Sequence, residues 1–175
     1  LSGVYRADYN DVDDSAVQSV QGTQDALLVG PTLGYDFWTE PGSDAAIELD
    51  VFYEAKHGNG GVVTPRFRAG SQLADKIRGE GRISTTWASG DYMGNWFSVN
   101  RRDAARTGLD SYDADEGFKD LTLGGSLSWA FAGSWSLVGL ASYSRMLGDA
   151  ADSPIVDDAG DANQFRAGLL VNYTF

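Results

Sequence analysis

The feature that most constrains how this chain can fold is a period of two, repeated in segment after segment, that parts apolar from small and charged side chains. In the closing stretch NQFRAGLLVNYTF, one side carries Phe165, Ala167, Leu169, Val171, Tyr173 and Phe175. The other carries Gln164, Arg166, Gly168, Leu170, Asn172 and Thr174. Successive side chains of a strand point to opposite faces, so such a stretch reads as a strand with two chemically different surfaces. The same alternation runs through ALLVGPTLGYDFW, AAIELDVFYEA, VVTPRFRA and GFKDLTLGGSLSWAF. It is blurred in SWSLVGLASYSRML, where Val138 and Leu140 fall on the serine-rich side, and weak in RISTTWAS and SGVYRADY.

The connections sharpen this into a topology. The acidic stretch NDVDDSAVQSVQGTQ follows the first strand, and a 26-residue segment opening DYMGNWF and the acidic GDAADSPIVDDAGDAN come later. Between them lie short links such as TEPGSD, SQLADK and AGS. Long connections at one rim and short turns at the other are the habit of a transmembrane β-barrel. Aromatic residues at 12%, 22 glycines and only 4 prolines suit many strands and turns. No apolar run is long enough for a membrane-spanning helix. The expected fold is all-β: a single domain over residues 1–175, an antiparallel transmembrane β-barrel of about eight strands.

In such a barrel the apolar face looks out to lipid and the polar face fills a narrow interior. The polar faces carry Glu48, Asp50 and Glu54 against Arg66, Arg68, Arg82 and Arg166. Opposite charges of this kind can satisfy one another where an unpaired charge would be expensive. Rings gather at strand ends: Phe37, Trp38, Trp129, Phe131, Trp135, Tyr173 and Phe175. They are expected at headgroup depth, where an apolar body meets a polar edge. A final amphipathic strand with Tyr173 and a terminal Phe175 also resembles the signal read by the outer-membrane barrel assembly machinery.

Composition excludes several other roles. With 13 Lys+Arg and 25 Asp+Glu, the formal charge is 13 − 25 = −12, which repels nucleic acid. No cysteine is present for disulfides or thiol chemistry. His57, in KHGNGG, is the only histidine; with Asp50 or Glu54 as orienter it is the best available catalytic base, and it reads first as a solvated loop residue. Asp50 and Glu54, two pleats apart, read as charge partners of Arg66 and Arg68 rather than as a glycosidase pair. DYNDVDD and DDAGDAN offer oxygen ligands without calcium-loop spacing, so no metal site or cofactor is expected. Arg101, Arg102 and Arg106 of NRRDAAR suit lipid phosphates or the loop's own carboxylates. YMGNWF, just before them, suits either a plug or the aromatic belt.

Specific blocks carry a family resemblance. YMGNWFSVN, TGLDSY, EGFKDLTLGGSLSWAF and ASYSRMLGDAADSPIVDDAGDANQFRAGLLVNYTF resemble the MipA/OmpV family of outer-membrane proteins, as does GVYRADYNDVDD near the start. The likeness is densest from about residue 91 onward. Family members are commonly longer, which implies ten or more strands in a fuller member. The resemblance implies a cell outer-membrane, non-enzymatic scaffold whose partners are the bilayer with its lipopolysaccharide, a lytic transglycosylase and a peptidoglycan synthase. Two other readings stand beside it: a narrow small-solute channel tied to osmotic or antibiotic stress, and a lipid-modifying enzyme centred on His57.

Overall fold

Alternating segments become strands here because each can bury one face only by standing beside its neighbours. The computed structural model describes residues 2–6 and 26–174. Its strands are β1 (Ser2–Arg6), β2 (Ala26–Gly30), β3 (Thr32–Glu40), β4 (Ser43–Glu54) and β5 (Gly61–Ala74). Then come β6 (Ile77–Ala88), β7 (Gly117–Ala132), β8 (Trp135–Met146) and β9 (Asn163–Tyr173). They form one antiparallel sheet in the order β1-β2-β4-β5-β6-β7-β8-β9, with β3 also on β4. β2 and β3 are one path interrupted at Pro31: Leu28 opposes Glu54 and Thr32 opposes Asp50 in a single register. Proline has no N–H to give the ladder, but its carbonyl accepts from the Val51 N–H at 3.0 Å.

The sheet curls as a barrel wall. Among the described residues no ladder joins β1 to β9, the two ends of the order. β1 covers only β2, so the outer edge of β3 carries no partner strand among these residues. The β3–β4, β5–β6 and β7–β8 connections span only residues 41–42, 75–76 and 133–134. Each is preceded by a register shift, at Asp36/Trp38, Gln72/Ala74 and Ala130/Ala132. Bulges at the rim tighten the local twist and let the chain turn sharply. The β5–β6 hairpin is longer than its alternation suggested. Residues of SQLADK and Ile77–Gly81 extend both strands, since Gly79 and Gly81 leave the local pattern faint without breaking the pairing.

All longer connections leave from the opposite rim. The one between β6 and β7 holds α1 (Gly90–Phe97) and α2 (Arg101–Thr107); that between β8 and β9 holds α3 (Gly148–Asp152) and α4 (Pro154–Asp157). Asn100 caps α2 by accepting from the Arg102 and Asp103 N–H groups, and Gly108, at φ 81°, ends it. Ser153 caps α4 and donates from its hydroxyl to the Phe97 carbonyl at 2.6 Å, tying the two connections together. The true hydrophobic core sits at this rim, where Tyr92, Met93 and Phe97 pack with Leu28, Val62, Ala88, Ala150 and Val156. YMGNWF is therefore an inward cap, not part of a belt. Among the described residues no helix is long and apolar enough to cross a membrane.

The convex face is the reverse of a soluble surface. Leu33, Ile47, Phe67, Ile83, Leu123 and Leu169 all stand exposed on it, strand after strand. A contiguous exposed apolar band of this kind marks a surface that another apolar phase or partner covers.

Candidate functional site

The concave face is built in rows, because cross-strand register sets which side chains meet. One row runs Asp36, Ala46, Arg68, Arg82, Gly124, Ser142, Arg166 from β3 to β9. The row beside it runs Gly34, Glu48, Arg66, Ser84, Thr122, Ser144, Gln164. Acids on β3 and β4 thus face arginines on β5. Arg66 donates to Glu48 at 2.8 Å and to Asp50 at 2.9 Å. Arg68 donates to Glu48 at 3.0 Å, Asp44 at 2.6 Å and Asp36 at 2.9 Å. Arg78 also pairs with Asp44, and Thr32 donates its hydroxyl to Asp50 at 2.7 Å. The Arg66 and Arg68 guanidinium groups are each shared between carboxylates through charge-assisted hydrogen bonds. Lys119 and Asp120 form a further pair beneath the cap.

Three residues expected in this network stand elsewhere or differently. Glu54, 1% exposed, lies at the cap rim, where its carboxylate accepts from the N–H groups of Leu27, Lys56, His57 and Asn59 at 2.7–3.4 Å. The tight link 55–60 folds back over the strand end and captures this acid before any arginine can reach it. Arg82 and Arg166 do face the concave side, but among the described residues no carboxylate stands within ion-pairing distance of either. Arg166 makes only a long 3.4 Å contact to Gln164. Conversely, Asp44, whose position reads as a connection, and Arg78, which lies between SQLADK and RISTTWAS, join the network; both continue the even-numbered polar parity of their strands.

Two adjoining cavities occupy the interior. One, about 450 Å³, lies under Tyr92, Trp96 and Phe97 of α1 and reaches Arg66, Asp120 and Arg166. The other, about 540 Å³, is lined by Glu48, Glu80, Arg82, Arg166 and the hydroxyls of Ser84, Thr122, Ser142 and Ser144. Above them, burial holds the Tyr112 hydroxyl more firmly protonated than usual, helped by the carboxylates of Asp149, Asp152 and Asp115. His57 Nδ1 is 3.8 Å from Glu54 Oε1, and Asp50 is engaged by Arg66 and Thr32, so the three do not form a relay. In α2, Arg106 pairs with the buried Asp103 at 2.5 Å, while Arg101 and Arg102 are exposed. Among the described residues no cluster of three or more His, Cys, Asp or Glu can hold a metal ion.

The rings named from the sequence gather at one rim only. Phe37 and Trp38 sit beside the β3–β4 turn and Trp129, Phe131 and Trp135 beside the β7–β8 turn, with Tyr173 against Trp135 at 4.8 Å. At the cap rim the convex face carries a second set, Tyr53, Phe118, Tyr143 and Phe165, all exposed. Their place on the apolar side near strand ends was the available signal. Phe175 and the acidic run 8–14 lie outside the described residues.

Three comparisons bear on identity. A family model described as "MltA-interacting protein MipA" matches residues 1–175. The MltA-interacting protein of Escherichia coli (strain K12) is 35% identical over 75 residues, 43% of this chain and 30% of that protein. The MltA-interacting protein of Shigella flexneri gives the same figures. The match therefore spans under a third of those relatives' own length. No solved structure matches the chain.

Proposed function

The chain belongs to the MltA-interacting protein MipA family, and from that premise we propose that it is an outer-membrane barrel acting as a non-enzymatic docking scaffold for a lytic transglycosylase. The observation that carries the reading is the combination of a lipid-suited exterior with an interior obstructed by its own side chains. Arg66, Arg68 and Arg78 are locked to Asp36, Asp44, Glu48 and Asp50, and α1 closes the rim above them. Such a wall offers stable outer loops and turn rims to other proteins, and little open path to solutes. The aromatic sets at the two rims support a membrane-spanning placement, since rings of this kind favour headgroup depth. The relatives' names, which say MltA-interacting, support MltA as the type of partner; a lytic transglycosylase and a peptidoglycan synthase are the partners that the family resemblance implies.

The test is co-purification from detergent extract of cells carrying the tagged full-length protein. Retention of the lytic transglycosylase, and its loss when the barrel is replaced by an unrelated outer-membrane barrel, is the expected result. Equal recovery on both barrels removes the scaffold role.

A further inference from the structure

We propose that the concave face between β6 and β9 binds a small oxyanion, a phosphate or carboxylate group held between Arg82 and Arg166. Nearby carboxylates are engaged by other arginines. Arg66, Arg68 and Arg78 share Asp36, Asp44, Glu48 and Asp50 among them. Arg82 and Arg166 line one cavity, and among the described residues neither has a carboxylate within ion-pairing distance. A guanidinium cannot shed its proton, and both side chains are exposed on the concave face, so each keeps its charge and its donors open to a solute. An oxyanion would supply the anionic acceptor that neither arginine finds within ion-pairing distance.

Geometry points the same way. Arg82 and Arg166 belong to a single row, separated by Gly124 on β7 and Ser142 on β8. Gly124 is a bed for the first of them: a Cβ there would stand 2.7 Å from Arg82 Nε and 3.3 Å from its Cζ. The guanidinium therefore lies across β7 toward the second arginine, an approach that any larger residue would block. Both line the cavity of about 540 Å³, with the hydroxyls of Ser84 and Ser142 as further donors. Two forks and neutral hydroxyls suit oxygens of phosphate or carboxylate, which accept bidentate bonds, better than they suit a halide. The −12 net charge of the whole chain makes this inward cationic pair the more distinctive. The site is independent of the docking role proposed above.

The experiment is isothermal titration of the full-length protein in detergent micelles, in chloride buffer, with inorganic phosphate in one arm and acetate in the other. Saturable binding is expected, tighter for the source whose chemistry the site serves. Arg82→Gln and Arg166→Gln should each weaken it about tenfold, the size of one lost charge-assisted hydrogen bond. Gly124→Ala, which keeps both charges but pushes Arg82 aside, should weaken it as well. Arg78→Gln, whose partner is Asp44, should bind as the parent does. Circular dichroism confirms folding; if an arginine variant does not fold, Gly124→Ala carries the test. No saturable heat with either anion overturns the proposal, and so does undiminished binding in the Arg82, Arg166 or Gly124 variants.

Discussion

Leu123→Arg puts the orientation of the wall at risk. Leu123 lies midway along β7 on the convex face, opposite Ile83 on β6 and Tyr143 on β8, and is 50% exposed. If water covered this face, a half-exposed leucine could become arginine within about ±0.5 kcal/mol. If acyl chains cover it, arginine near the bilayer midplane costs about 2–4 kcal/mol, and the cost falls to about 0–1 kcal/mol near the interface. Phe118, exposed on the same face beside the cap rim, supplies that second depth. The assay is reversible urea unfolding in lipid vesicles followed by tryptophan fluorescence, with Leu123→Ala measured to subtract lost packing. The expected order is a large penalty for Leu123→Arg and a small one for Phe118→Arg. A Leu123→Arg cost within about 0.5 kcal/mol of Leu123→Ala, or equal costs at both depths, would refute a lipid-facing convex surface.

Three further outcomes follow from named contacts. Arg68→Leu takes from Asp36 its guanidinium partner and leaves Asp44 and Glu48 with one arginine each, and should destabilise by about 1–3 kcal/mol; adding Glu48→Leu should return part of that loss in a double-mutant cycle of urea midpoints. Gly60→Ala should loosen the cap, because Gly60 has φ +75° and a Cβ there would collide with the Ser89 hydroxyl and the Tyr92 N–H. Planar-bilayer recordings should find the parent closed and this variant passing current; a parent with a steady open state contradicts the obstructed interior. Asp161, in the connection before β9, has its carboxyl held below the ordinary range, chiefly by the Asn163 backbone N–H and then its side-chain amide. A depressed folded-state value means that its contribution is complete above the unfolded value and is lost as pH falls through the lowered one. Asp161→Asn should therefore flatten the acid limb of the stability curve below the ordinary carboxylate range, and an unchanged limb would refute the assignment.

Much of the fold was legible because a period of two is a local property, written into each strand without reference to any other. Leu121, Leu123, Leu127 and Trp129 declare one face of β7 wherever that strand sits. Connection lengths, equally local, separated the turn rim from the loop rim. Legibility failed where the pattern was diluted or interrupted. Gly79 and Gly81 hid the first half of β6, and Pro31 split a continuous path into β2 and β3. The Tyr53, Phe118, Tyr143 and Phe165 set at the cap rim went unread, although its parity was available.

The candidate site divides along the same physical line. By itself the sequence determined that acids and arginines share the polar face, since face is fixed by parity alone. Which acid meets which arginine depended on register across strands distant in sequence, so only the tertiary structure could give Arg68 three carboxylates and leave Arg82 and Arg166 with none within ion-pairing distance among the described residues. The same holds for Glu54, drawn off by four backbone N–H groups in a folded link, and for YMGNWF, whose apolar side chains found a core only once two distant connections met over the strand ends. Parity is a one-strand quantity; pairing and packing are properties of the assembled wall.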